Sequence, residues 1–301
     1  MRLIHSSDAP SETPSDDIRN MVEVVSENSL REWVRHIAIP RNMQVQPENN
    51  RAIASWLSTR FSEWGYEVQR AGPLNNILAL PRQRRTPLLL VGAHYDSVPQ
   101  TPGADDNASA VAAVLACAQV LARFAPAAPV CFVAFNGEEN DLAGSKDFVG
   151  NFLPQADFQV RQAHILEMVG FATTQPGSQN TPTGLPISIP DTGDFLGLLA
   201  NHGSGSMLEF ILAQTSTYLP GFKTLGLAVP LGIERVFPVL ARSDHVPFWN
   251  HGVPAVMWTD TSEFRNPNYH RASDTPETLD YAFLRNVTRL LVACVARQAF
   301  P

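Results

Sequence analysis

The chain has 301 residues, 44% of them hydrophobic and 17% charged, with a formal net charge of -7. That length suffices for one large domain or two small ones, and the acidic balance gives no support to nucleic-acid or anionic-membrane binding. No apolar run approaches the length of a membrane span, and Cys117, Cys131 and Cys294, far apart and without C-x-x-C spacing, read as reduced core residues.

Residues 1–20 are rich in Ser, Pro and Asp and lack periodicity, so they are expected to form a disordered tail ahead of a single catalytic domain over 21–301. They also lack the apolar centre of a signal peptide, so a cytoplasmic protein is expected, or a secreted one if a leader has been trimmed away. Leu30, Trp33, Val34 and Ile37 recur at helical spacing, with Ser29 as a candidate N-cap. A second helix is expected over 47–64, with Ile53, Trp56, Leu57 and Phe61 as its apolar stripe and Gly65 ending it. Residues 66–69, 76–80 and 88–94 read as strands. An Ala-rich helix over 107–124 follows, then a buried strand over 130–135, a short helix over 144–152 and a strand over 163–169.

The second half is less regular. Residues 171–189, rich in Pro, Gly and Thr, read as a loop near a site. A strand over 194–199 and a helix over 206–218 are expected. Residues 225–240 fit neither period, 244–250 suggests a short helix, 254–258 a strand and 277–300 a long closing helix. Strands alternating with helices argue for an α/β domain with a largely parallel centre.

Chemistry concentrates where buried strands give way to loops. Leu88–Val91 runs into Gly-Ala-His94-Tyr-Asp96-Ser, and after a short loop come Asp105-Asp106-Asn107. The strand over 130–135 runs into Asn-Gly-Glu138-Glu139, the strand over 163–169 contains Glu167, and His270 lies in the loop after 254–258. The C-terminal edge of an open sheet is where such folds place their sites. In H-x-D on a strand, His94 and Asp96 point to the same side, so Asp96 can take the free ring N–H of His94. Carboxylates gathered at such an edge repel one another unless a cation lies between them. Two metal ions sharing a bridging carboxylate would satisfy them, and a water between the ions would lose a proton near neutral pH. In the Glu138-Glu139 pair one residue can bind metal while the other takes that proton. His36, His164, His202 and His251, without companion motifs, are expected to be structural.

GAHYDS, PGADDNAS, FNGEEN-DLAGS, LEMVG, SDHVPFWNHGVPAVMWTDT and EFRNPNYHRASDTPETLD, in this order, resemble the motifs of the di-zinc aminopeptidases, the group of bacterial leucyl aminopeptidase, aminopeptidase Y and glutamate carboxypeptidase. The resemblance runs from about residue 30 to the C-terminus. It implies a three-layer α/β/α sandwich around a central mixed, mostly parallel sheet of about eight strands. Carried over motif by motif, it makes His94 a ligand of one zinc with Asp96 supporting its ring, Asp106 the bridge, Glu138 the general base, Glu139 a ligand, Glu167 a ligand of the other zinc and His270 the last ligand, with Asp274 supporting it. The better-known relatives carry Asp where Glu167 stands. Asp105, Ser243, Asp244 and His245 match motifs without an assigned metal contact.

The implied activity is removal of an N-terminal residue from a peptide with a free amine, with two zinc ions per chain, no nucleic-acid or membrane partner, and no indication of oligomeric state. Three alternatives stay open. A glutaminyl-peptide cyclotransferase shares H-Y-D-S and a Glu pair and uses one zinc, although the stretch from Asp260 to His270 looks more like the peptidases. A carboxypeptidase usually carries inserted domains for which the loop over 98–102 leaves little room. A non-catalytic binding protein is disfavoured because every ligand position holds a competent residue. Phe195, Met207 and Phe210 are candidates for lining a specificity pocket.

Overall fold

A computed structural model describes residues 1–83 and 85–300. Nine strands form one mixed sheet: β1 (Arg2–His5), β2 (Glu67–Ala71), β3 (Asn76–Leu80), β4 (Leu88–His94), β5 (Val130–Phe135), β6 (Val160–Glu167), β7 (Leu196–Ala200), β8 (Thr224–Ala228) and β9 (Ala255–Thr259). Their order is β1-β8-β7-β9-β6-β4-β5-β3-β2. The central four, β9-β6-β4-β5, are mutually parallel, so their C-terminal ends share one edge. The sheet has one strand more than the motifs suggested, and the extra strand is β1, which pairs antiparallel with β8.

Alternation along the central strands divides the core. Leu89, Val91 and Ala93 of β4, with Val256 and Trp258 of β9, face the larger apolar cluster; Leu88 and Leu90, with Ala255, face the smaller one. The larger cluster is covered by α1 (Asp16–Glu23), α2 (Glu27–Ile37), α3 (Pro47–Glu63), α4 (Ala110–Phe124), α6 (Gly205–Tyr218) and α8 (Tyr281–Ala299). Among the described residues, the opposite face carries α5 (Ala143–Asp147), the irregular turns that follow it, and α7 (His245–Asn250), together with long loops. The architecture is therefore an α/β/α sandwich with one thick and one thin helical layer.

Several expectations need correction. Residues 1–20 are not a tail. β1 closes the sheet edge, Ser216 Oγ donates to the Ser6 carbonyl at 2.5 Å, the Glu12 N–H donates to Thr217 Oγ1 and the Ser15 N–H to Tyr218 Oη. The cap of α2 is Ser26, whose side chain accepts from the Ser29 N–H, and not Ser29. Regular α4 begins at Ala110, because residues 104–109 form an irregular turn with Asp106 and Asn107 off helical dihedrals. The segment Ala104–Phe124 is, contrary to expectation, long and apolar enough to cross a membrane by length and composition. It is instead the central core helix, with 78% of its apolar window buried. The ambiguous stretch over 225–240 is β8 followed by two short 3-10 turns, Ile233–Arg235 and Pro238–Leu240. All three cysteines are buried and free, and burial raises the thiol pKa of each.

His164 of β6 is fully buried, with Nε2 2.8 Å from Gln298 Oε1 of α8, and burial pushes its pKa down to about 4. The unfolded chain takes up a proton near pH 6.5, whereas the folded chain resists until about pH 4. Stability present above pH 6.5 is therefore lost as the pH falls toward 4, by on the order of 3 kcal/mol from this residue. Denaturant titrations of zinc-saturated protein between pH 7 and 4 should show His164→Gln losing correspondingly less than wild type. Parallel loss in the two would contradict a neutral buried imidazole.

Candidate metal centre

The parallel edge assembles the site. His94 is the last residue of β4, Glu138 and Glu139 follow β5 by a two-residue turn, Glu167 ends β6, and His270 lies in the loop beyond β9. Asp106 comes from the turn that leads into α4. The structure thus brings together every predicted ligand, the predicted base and Asp96.

Asp106 lies between the two histidines. Its Oδ1 is 3.4 Å from His94 Nε2 and its Oδ2 is 3.1 Å from His270 Nε2. On one side Glu167 Oε2 stands 3.3 Å from His94 Nε2, and on the other Glu139 Oε2 stands 3.4 Å from His270 Nε2. Glu138 Oε2 lies farther from His94, at 3.9 Å. With zinc–ligand bonds of about 2.0–2.2 Å, two ligands of a tetrahedral ion sit about 3.3–3.6 Å apart. The side chains therefore hold spacings suited to two ions that share Asp106. Two sets, His94–Glu138–Glu167 and Asp106–Glu139–His270, each place three donor atoms within 4.8 Å of one another. Among the described residues, His94 Nε2, Asp106 Oδ1 and Glu139 Oε1 are buried with no hydrogen-bond partner. Unpartnered buried donors of this kind are costly unless something else satisfies them, and nitrogen and carboxylate donors suit zinc.

Buried carboxylates clamp the backbone around these side chains. Asp96 lies with Oδ1 3.5 Å from His94 Nδ1, and accepts the N–H groups of Glu138 (3.2 Å) and Glu139 (3.3 Å). It thereby stands between one histidine and the Glu pair, close to the His94 ring but without a hydrogen bond to it. Asp274 does not support His270; it accepts the N–H groups of Asp105 (2.9 Å) and Asp106 (3.1 Å). Asp105 accepts from the Gly170 N–H and from Asn266 Nδ2, and Asn107 bonds both the Leu166 carbonyl and the Met168 N–H. The Asp106 turn is thus fixed to the end of β6. Ser243 Oγ donates to Glu167 Oε2 at 2.7 Å. His270 takes a left-handed backbone conformation with φ 56°, and its ring stacks on Tyr269 at 3.7 Å between centroids.

The charges adjust to one another. Burial alone would drive His94 toward neutrality, but Glu167, Glu138, Asp106 and Asp96 raise its pKa well above the usual value. Burial likewise lowers and Asp106 and Glu139 raise His270, to about 10. Burial raises and the two histidines lower Asp106, which ends below the usual carboxylate range. Burial, then Asp106, lifts Glu139 to about 7, and burial lifts Glu138 well above the usual range, helped by Glu167, Asp244 and Glu139. Asp244 is buried with both oxygens unpartnered, and burial raises it to about 7. Burial, then Asp105, holds Asp260 well above the usual range.

Arg41 was not anticipated. It is fully buried, and its guanidinium donates to the carbonyls of Tyr95 (2.5 Å), Gly103 (2.9 Å), Ile39 (3.2 Å) and Pro102. The carbonyls of Tyr95, Pro102 and Gly103 flank the loop between Asp96 and Asp106. Burial lowers its pKa to about 10 against the pull of Asp106, Asp96, Asp274 and Glu139, which leaves it cationic at neutral pH. Gly103 sits at φ 58°, where a Cβ would meet the Asp106 carbonyl at 2.2 Å, so the turn requires glycine. Nothing near Arg41 in sequence resembles a metal motif, and only long-range contacts reveal its role.

A cavity of about 160 Å³ opens beside the centre, lined by Asp106, Glu138, Glu167 and His270 at one end and largely by apolar side chains elsewhere. Phe195 is among them. Met207 is buried in the core against the thick helical layer and Phe210 packs against it, so neither takes the role suggested for it.

A mixed α/β/α fold with a carboxylate–histidine cluster at its parallel edge is the architecture of the zinc-peptidase fold. The model of peptidase family M28 matches residues 75–188 and 228–295, and the chain belongs to that family. It is 34% identical over 228 residues to the uncharacterized protein YfbL of Escherichia coli, covering 72% of this chain and 68% of that one. It is 25% identical to a zinc aminopeptidase of Bacillus subtilis whose structure it matches with a TM-score of 0.55, over 74% of this chain and 50% of that one. LapB of Legionella pneumophila shares its fold at 18% identity, with a TM-score of 0.75 over 95% of this chain and 76% of that one.

Zinc requires neutral ring nitrogens, whereas His270 without metal stays protonated up to about pH 10. Zinc binding to chelator-stripped protein at pH 7 should therefore release protons, and apparent affinity should tighten about tenfold per pH unit for each proton displaced. Calorimetry in buffers of different ionisation enthalpy reads this; heats independent of the buffer would contradict the pairing. Arg41→Met should cost about 3 kcal/mol in a denaturant titration, since it strands buried carbonyls. A loss below about 1 kcal/mol would show that the loop re-pairs without the guanidinium.

Proposed function

We propose that the protein is a two-zinc aminopeptidase acting on peptides with a free N-terminus. The observation that carries this reading is the Asp106 carboxylate, with one oxygen turned to each histidine and one further carboxylate at each side. His94, Glu167 and Asp106 would hold one ion, and His270, Glu139 and Asp106 the other. Zinc bound there lowers the pKa of a coordinated water toward 7 and polarises a carbonyl.

The remaining work falls to the chain. Glu138 is assigned as general base rather than ligand because its carboxylate stands back from His94 while it lines the open cavity. A carboxylate at this place would take a proton from the attacking water and return it to the leaving amine. Asp96 acts as a positioning residue: it steadies the His94 ring and fixes the N–H groups of the Glu pair, which sets where Glu138 points. The carboxylates around the centre would favour an α-amine at that spot, which would make a free N-terminus a condition for cleavage.

Metal analysis should find close to two zinc per chain, and hydrolysis of aminoacyl anilides should disappear with chelator and return with zinc. Glu138→Gln should keep its zinc and lose about 10²–10⁴-fold in kcat. Wild-type turnover in that variant would remove Glu138 from its role. One zinc per chain, with ammonia release from N-terminal glutaminyl peptides and no anilide hydrolysis, would assign the protein to the cyclotransferases.

A further inference from the structure

Among the described residues, Arg242 is the one lysine or arginine that lines the cavity beside the centre; the other charged or titratable groups at the metal end are Asp106, Glu138, Glu167, Glu263 and His270. Two connections tie it to both halves of the centre. The next residue in the chain, Ser243, donates to Glu167 Oε2 at 2.7 Å. The Arg242 guanidinium itself donates to Tyr269 Oη at 3.1 Å, and the Tyr269 ring stacks on the His270 ring at 3.7 Å between centroids. The positive charge thus stands one tyrosine side chain away from the His270 subsite. A guanidinium carries five N–H groups in a planar fork that fits a carboxylate. Arg242 donates to Glu263 and to Tyr269, and 43% of its side chain stays exposed. The Glu263 side chain is 32% exposed, and solvent-facing pairs of this kind contribute little. Glu263 therefore leaves the guanidinium open to a second anion.

We propose that Arg242 takes the terminal carboxylate of a substrate one residue beyond the bond that is cut, which makes unblocked dipeptides the preferred substrates. This rests on the aminopeptidase reading above. Acidic groups dominate the charged part of the lining, so they draw an α-amine and repel a carboxylate everywhere except beside Arg242. Reach decides the length. A residue extends about 3.5 Å, so the two termini of a dipeptide lie about 7 Å apart. With the amine at the centre, the carboxylate of a dipeptide arrives within the span of the Tyr269 side chain. In a longer peptide the carboxylate lies farther out, and a neutral amide occupies the same place. Losing a hydrogen bond between charged groups weakens binding about tenfold, enough to set a preference by chain length.

The test compares kcat/KM for leucylglycine, leucylglycine amide and leucylglycylglycine in zinc-loaded wild type, Arg242→Met and Arg242→Lys, with zinc content and melting temperature measured alongside. Wild type should favour leucylglycine about tenfold over each of the other two. Arg242→Met should bring both ratios close to one, and Arg242→Lys, which keeps the charge and loses the fork, should fall between. Wild-type ratios already near one would overturn the proposal. So would equal loss on all three substrates in Arg242→Met, which would show that the residue only supports its loop. A readout without turnover separates this inference from the peptidase reading. The reduced-bond analogue of leucylglycine, with a methyleneamine in place of the amide, should bind wild type more tightly than its C-terminal amide by calorimetry. Arg242→Met should lose that difference whether or not any peptide is cleaved. Equal affinities of the acid and the amide for wild type would overturn the proposal, and cleavage of the peptides would still leave the aminopeptidase reading in place.

Discussion

The structure depends on holding several carboxylates close together at the end of a parallel sheet. Two unit charges about 4 Å apart interact with about 4 kcal/mol at the effective dielectric of a protein site, and Asp96, Asp106, Glu138, Glu139, Glu167 and Asp244 all crowd the same edge. The fold answers this repulsion in four ways. Backbone N–H groups are aimed at Asp96 and Asp274. Protons are retained on His94, His270 and Asp260. A buried guanidinium stands behind the loop that joins the two histidine subsites. The fourth is the pair of sites in which, among the described residues, His94 Nε2, Asp106 Oδ1 and Glu139 Oε1 have no hydrogen-bond partner. The first three make the acidic edge foldable, and the fourth gives it a use, since what remains unsatisfied is a demand for cations.

The clamps explain why side chains from five segments can reach a common spacing. Asp96 ties β4 to the turn after β5, Asn107 ties the Asp106 turn to the end of β6, and Asp274 ties the loop after β9 to that same turn. Each clamp joins two segments that carry a donor, so an error in one position would be shared rather than local. Arg41 works on the same principle with the opposite charge, gathering carbonyls from both ends of the 95–103 loop. A site that must hold its donor atoms to a few tenths of an ångström is better served by such cross-links than by loop conformation alone.

The elements legible in sequence were those whose signal is local. Leu88–His94, Asn76–Leu80 and Val130–Phe135 were read with their boundaries, because each is a run buried on both faces and broken by turn residues. The site was legible because each donor sits beside the end of such a run. Three features were not. Residues 1–20 have the composition of a tail, and become ordered only through pairing with a strand more than 200 residues away. Arg41 shows its function through carbonyls 54 to 62 residues distant. Asp274 was placed beside His270 by proximity in sequence, whereas the backbone N–H groups it serves lie about 170 residues earlier. In each case the deciding contact is long-range and polar or edge-on, and carries no periodicity.

The asymmetry of the two helical layers connects these observations. Six helices seal one face, so the central strands can bury long aliphatic side chains there without interruption. The other face is covered near β4, β6 and β9 by α5 and α7, but toward β7 and β8 mainly by loops and short 3-10 turns. Fully packed helices on both sides would have left no opening next to the metal centre. A cavity forms where the thin layer gives way to loops, at the C-terminal end of β9 and the N-terminal end of β7, and its apolar lining combines sheet surface with loop side chains. The edge strand then does two things with one four-residue segment. Ile4 packs into the sealed face, and Leu3 is turned to the open one.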